Sequence, residues 1–232
     1  MTTSAQRTTY GDEELPHLLS RMSGDEKHDP ASQSTLDVLW VLYHDVLLLS
    51  PERLDDPDRD RFYLSKGHGP MAFYAILAAH GYLPVQWLDD WTAFDSPLGA
   101  HPDRTLIPGC EISAGSLGHG LPLAVGTALG LRAQHRAAHV YVLVGDAELD
   151  EGSNDEAIAF AGATGLDNLT VVAIDNSSST YNRPGRLQRR FEVERWSTTE
   201  IDGHDHRSIR SALIRREGRP SFIAALVESK GR

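Results

Sequence analysis

The chain has 232 residues, 40% of them apolar and 24% charged, with a formal net charge of −11, which suits a globular protein with room for one sizeable α/β domain. The acidic balance argues against general nucleic-acid binding, since counterion release needs clustered Lys and Arg, and the single Cys110 excludes an intrachain disulfide or a cysteine-rich zinc site. No apolar run reaches the roughly 18–20 residues of a membrane span and the first residues, Met1 to Arg7, lack a secretory core, so a cytoplasmic protein bound to no membrane is expected.

Met1 to about Gly11 reads as a mobile leader and residues 12–232 as one domain. A first helix is expected from Glu13 to Met22, followed by a polar loop from Ser23 to Ser34. From Thr35 to Leu49, apolar residues at Leu36, Val38, Leu39, Leu42, Tyr43, Val46 and Leu47 make the wide stripe of a largely buried helix, which Pro51 ends. The charged run Asp55 to Arg61 is a surface loop leading into a short strand at Phe62-Tyr63-Leu64. Pro70 to His80 reads as a helix closed by Gly81, and Leu83 to Phe94 as another. Gly115 to Gly130 begins as a loop and becomes a helix whose small residues, Gly118, Ala124, Gly126 and Ala128, allow close packing.

The next stretch carries the most chemistry. Val140-Tyr141-Val142-Leu143-Val144 is short, continuous and β-branched, as in a strand buried on both faces of a parallel sheet. It stops at Gly145-Asp146-Ala147-Glu148. Helical spacing between Glu151 and Thr164 and a second apolar run, Leu169 to Ile174, complete a βαβ unit that ends in Asp175-Asn176. Ligands in such sheets sit beyond the carboxyl ends of the strands, where Asp146 and Asn176 both fall. Mg²⁺ takes oxygen ligands, one or two of them protein carboxylates, together with phosphate oxygens. Asp146 and Asn176 meet that demand, with a backbone carbonyl near Ser178 as a third ligand. Gly145 and the small Ala147 let backbone approach phosphates closely. The plainer reading makes both residues caps of the elements that follow. Gly185 to Arg195 is basic, a helix or ordered loop whose arginines suit a solvated surface or an acidic partner. Thr198 to Ile201 reads as a strand, Asp205 to Arg216 as a helix and Ser221 to Val227 as the last strand. The fold class expected is α/β, an open and mainly parallel sheet with helices on both faces.

The segment Gly145-Asp146-Ala147-Glu148-Leu149-Asp150-Glu151-Gly152 through Asp175-Asn176 resembles the thiamine-diphosphate motif, with Ala147 in place of its third glycine. Three further blocks stand in the order found in the transketolase family: Leu64-Ser65-Lys66-Gly67-His68, Gly99-Ala100-His101-Pro102, and Glu111 to Gly120. The resemblance runs from about Ser20 to Lys230 and covers that family's pyrophosphate-binding half. It implies thiamine diphosphate held through Mg²⁺, with Ca²⁺ or Mn²⁺ as substitutes, on Asp146, Asn176 and Ser178. It also implies cofactor contacts from His68, Gly115, Ser116, Leu117, Gly145, Ala147 and Glu148.

His68 and His101 match family histidines at the cofactor and at the donor sugar, and an imidazole there can move protons near neutral pH. His28 matches a third, although the Lys27 to Ser32 text departs from the family loop. Glu151 and Glu156 match acidic residues of a network across the subunit contact, where His119 replaces a frequent glutamine. The family's pyrimidine-binding half does not fit in 232 residues. The resemblance therefore implies a split enzyme completed by a C-terminal transketolase subunit in a heterotetramer, passing a two-carbon ketol unit from a sugar or keto substrate to an aldehyde. A further family histidine lies past the Lys230-Gly231 stretch. Two alternatives stay open: a 2-oxo acid decarboxylating or acyl-transferring thiamine-diphosphate enzyme, and a catalytically idle binding subunit.

Overall fold

Strands β1 (Arg61–Leu64), β2 (Val140–Gly145), β3 (Leu169–Asp175), β4 (Ser197–Asp202) and β5 (Ser221–Leu226) form one sheet in the order β1-β2-β3-β5-β4, and every neighbouring pair is parallel. The computed structural model describes residues 10–23, 29–181 and 183–229, with the side chains of 29–31 left aside. Alternation along each strand sends side chains to opposite faces. Tyr141 and Leu143 of β2 enter one apolar cluster, while Val140, Val142 and Val144 enter the other.

Each cluster is closed by helices. Helices α1 (Leu15–Ser20), α2 (Asp29–Val41), α3 (Pro70–Ala79) and α7 (His206–Ile214) cover the first face, and α4 (Gly120–Ala133), α5 (Gly152–Thr164) and α6 (Arg186–Glu192) the second. The expected class, an open sheet with helices on both faces, is the one observed, and among the described residues the sheet is wholly parallel. Helix α3 is buried at all ten positions, so it lacks a polar face. It starts on Pro70, where a missing N–H costs nothing, and stops before Gly81, whose φ of +76° a side chain would resist.

Three expected elements differ. The polar stretch Ser23 to Ser34 is not all loop, because α2 begins at Asp29 and buries Ser32, Ser34 and Thr35. The same helix widens into a π-helical turn, Leu42–Val46, and the chain is extended at Leu47, short of Pro51. Leu83 to Phe94 holds only the 3₁₀ segment Val85–Asp90, and Thr92 beyond it has a φ of +61°. Of the expected leader, Tyr10 and Gly11 are described, and Tyr10 packs on the core. No helix among the described residues is long and apolar enough to cross a membrane.

Candidate functional site

Beyond the C-terminal ends of β1, β2 and β3, four segments converge: Ser65 to His68, Gly115 to Gly118, Asp146 to Asp150, and Asn176 to Ser179. Parallel pairing puts these ends side by side, with Gly145 opposite Ile174 and the Asp146 amide donating to the Ile174 carbonyl at 3.2 Å. The cleft they form, about 80 Å³, is lined by Lys66, His68, Leu117, Asp146, Asn176 and Ser178 among others.

Asp146 is 2% exposed. Its Oδ1 accepts from the Ser178 hydroxyl at 2.5 Å and its Oδ2 from the Ser179 amide at 3.0 Å. Each oxygen keeps a lone pair beyond those bonds. Asn176 Oδ1 is buried and has no hydrogen-bond partner among the described residues, and an unpaired buried acceptor of that kind costs about 1–3 kcal/mol. A carboxylate and an unsatisfied amide oxygen in one cleft are a hard-oxygen donor set, the type Mg²⁺ prefers, so the residues fit a diphosphate-bound cation. The Ser178 hydroxyl, besides, ties its own segment to the Asp146 carboxylate.

The glycines of the cleft differ in what they require. A Cβ on Gly145 would lie 3.6 Å from Lys66 Cγ, an ordinary contact, so no protein atom demands glycine there. At Gly115 the demand is strict: φ is +112° and a Cβ would sit 2.8 Å from the His101 ring. Ala147 has a φ of −69°, where alanine is unstrained.

Glu148 is buried, and its carboxylate is spent inside the protein. Its Oε1 accepts from Ser65 Oγ at 2.5 Å and from the Gly118 amide at 3.0 Å, and its Oε2 from the Gly145 amide at 3.3 Å. Burial pushes its pKa above the ordinary value, and the Ser65 hydrogen bond opposes that shift. Its backbone carbonyl accepts from Asn154 Nδ2 at 2.7 Å. Sequence reasoning gave Ser65, Asn154 and Ser179 no role; the partners of Ser65 and Ser179 are remote in the chain, and Asn154, six residues from Glu148, carries no motif. Lys66 was missed too: it is buried on the cleft wall, with Nζ donating to Thr35 Oγ1 and the His68 carbonyl at 3.0 Å each. A lysine closing a strand just before Gly67-His68 was the one available signal.

His68 and His101 are both exposed. His68 lines the cleft and His101 stacks over Gly115 in the adjoining loop. Ser116 is exposed beside Leu117, which is 39% exposed. Glu151 and Glu156 are exposed on α5 and its N-cap, away from the cleft lining. Glu151 packs against Gly118, where a Cβ would meet its Cβ at 2.7 Å. His28 lies outside the described residues. Leu123 of α4 and Phe160 of α5 also reach solvent, at 52% and 46% exposure, and Gly126, Gly130 and Gly152 face open space.

The family model described as "Transketolase, thiamine diphosphate binding domain" matches residues 22–227. A protein of Rhodococcoides fascians named ferredoxin fas2 is 55% identical over 222 residues, covering 95% of this chain and 73% of that protein. A plant-type iron–sulfur cluster needs four cysteines, so a ferredoxin centre has no counterpart in a sequence with Cys110 alone. One of the subunits of an apulose-4-phosphate transketolase from Actinobacillus succinogenes is 37% identical, covering 85% of this chain and 75% of that polypeptide. The solved transketolase of Campylobacter jejuni superposes with a TM-score of 0.80 at 27% identity, covering 93% of this chain and 36% of that one. The chain thus spans about a third of the length of a solved transketolase.

Proposed function

We propose, from the premise that this chain belongs to the transketolase family through its thiamine-diphosphate-binding domain, that it is the N-terminal subunit of a split transketolase. In this reading a partner subunit brings the pyrimidine-binding half, and the pair transfers a two-carbon ketol unit from a ketose to an aldehyde. The observation that carries it is the unsatisfied Asn176 Oδ1 in the same cleft as the buried Asp146 carboxylate. A relative of similar extent is named as one subunit of a transketolase rather than as the whole enzyme, which supports the split.

Asp146 and Asn176 Oδ1 would hold Mg²⁺, together with a backbone carbonyl at Ser178. Backbone amides at Ala147 and Glu148, together with His68, would hold the diphosphate where it passes Gly145, while Lys66 adds positive charge on the cleft wall. Gly115, Ser116 and Leu117 lie against the organic part of the cofactor. The cofactor, when bound, supplies the carbanion chemistry that breaks and forms the C–C bond. His68, His101 and His28 donate to the sugar oxygens and move their protons. Glu148 acts through its neighbours, fixing the amides of Gly118 and Gly145.

The face that carries Leu117, Leu123 and Phe160, beside Glu151 and Glu156, is the one assigned to the subunit contact. Exposed apolar groups among small residues on paired helices suit close association. Two copies of each subunit, in the cytoplasm, complete the reading. Incubating the reconstituted pair with a ketose phosphate and an aldose should give the two-carbon-exchanged sugars. Acyl transfer from a 2-oxo acid, with no sugar exchange, would select the decarboxylase alternative instead.

A further inference from the structure

A second, larger open cavity of about 420 Å³ lies between the turn bearing Asp150, the segment ending in Tyr181, and α6; small-ligand sites span roughly 300–1,000 Å³. Three guanidinium groups line it, Arg186, Arg189 and Arg190, against two carboxylates, Asp150 and Asp155. Arg190 is committed to Asp155 Oδ1 at 2.8 Å and to the Leu149 carbonyl. Arg186 commits only one end, Nη2 to Asp150 Oδ1 at 2.8 Å. Its Nη1 is buried with no partner, and the Arg189 side chain has neither a hydrogen bond nor an ion pair among the described residues.

The cavity therefore holds one more positive than negative side chain, on a protein that is acidic overall. It also has an apolar wall. The Tyr181 ring, 64% exposed, lies 5.7 Å from the Arg186 guanidinium, and Val193 is 76% exposed. Guanidinium groups lining one concavity are suited to a tetrahedral oxyanion, which they grip through paired, charge-assisted hydrogen bonds.

We propose that this cavity binds a phosphate-bearing small molecule, its phosphoryl oxygens on the guanidinium groups of Arg189 and Arg186 and its uncharged part against Tyr181 and Val193. The site is separate from the cleft of Asp146 and Asn176 and does not rest on the cofactor reading. The two are joined through Ser179, whose amide donates to Asp146 Oδ2 and whose hydroxyl donates to Asp150 Oδ2 at 2.7 Å.

The test is a calorimetric titration with inorganic phosphate at constant ionic strength, without Mg²⁺ or thiamine diphosphate, on the chain alone and on its complex with the partner subunit. One site with a dissociation constant of about 1 mM or tighter is expected in both. Arg189→Ala, an exposed position whose fold is checked by circular dichroism, should weaken it at least about tenfold, and Asp146→Ala should leave it unchanged. Three results overturn the proposal: no binding in either preparation; binding lost with Asp146→Ala and kept with Arg189→Ala, which puts the phosphate in the cofactor cleft; and binding to the chain alone that vanishes in the complex, which assigns the arginines to an acidic group of the partner.

Discussion

The Ser65 hydroxyl donates to Glu148 Oε1 at 2.5 Å across 83 residues of sequence, tying the end of β1 to the turn that follows β2. The same hydroxyl accepts from the Gly120 amide at 3.0 Å, so the start of α4 joins the knot. One buried carboxylate thereby sets the spacing of three of the four segments around the cleft.

Removing that carboxylate should be costly. In Glu148→Ala the donors on Ser65, Gly118 and Gly145 lose their acceptor in a buried setting, at about 3 kcal/mol or more in all. Urea unfolding of the variant should show that loss as a lower midpoint at unchanged slope. A change below about 1 kcal/mol would mean that water replaces the carboxylate freely.

Gly115→Ala should act through His101. The new methyl would press on the imidazole at 2.8 Å from a backbone with φ of +112°, so the ring must turn away or the loop must shift. Under the proposed function, turnover of the reconstituted enzyme should fall as far as in His101→Ala, with cofactor affinity largely kept. The double variant should be no worse than either single one. Additive losses would separate the two residues.

Acid should destabilise the fold through two buried histidines. Burial holds His80 down to about 4 and His139 down to about 3, whereas unfolded histidine titrates near 6.5. Their contribution is therefore complete above pH 6.5. It is lost as pH falls toward the folded values, at about 1.4 kcal/mol per pH unit for each group. His80 also buries both ring nitrogens without partners, among Trp40, Tyr43 and His44. His80→Phe should raise the melting temperature and remove about half of the pH slope between 6.5 and 4.5. An unchanged slope would show that His80 is accessible to protons in the folded state.

Much of the sheet was legible because β2, β3 and β5 are continuous apolar runs, which only a doubly covered parallel sheet uses in such density. The placing of Asp146 and Asn176 followed from the same runs, since strand ends are where polar side chains become available. The start of α2 was hidden because its first turns bury Ser32, Ser34 and Thr35, small polar residues that hydrophobic periodicity does not register. Leu83 to Phe94 misled in the opposite sense: Leu88 and Trp91 are buried from a 3₁₀ turn rather than an α-helix, and their spacing suits both. The roles of Ser65, Glu148 and Ser179 could not be read locally, because each is defined by partners about thirty to eighty residues away.

The central claim is that Asp146 and Asn176 share one cation that anchors the diphosphate. Calorimetric titration of thiamine diphosphate into the reconstituted pair, with and without Mg²⁺, measures it most directly. Binding should require Mg²⁺, be abolished by Asp146→Ala and weaken at least about tenfold in Asn176→Ala. Wild-type affinity in Asp146→Ala, or binding indifferent to divalent cation, would contradict the account.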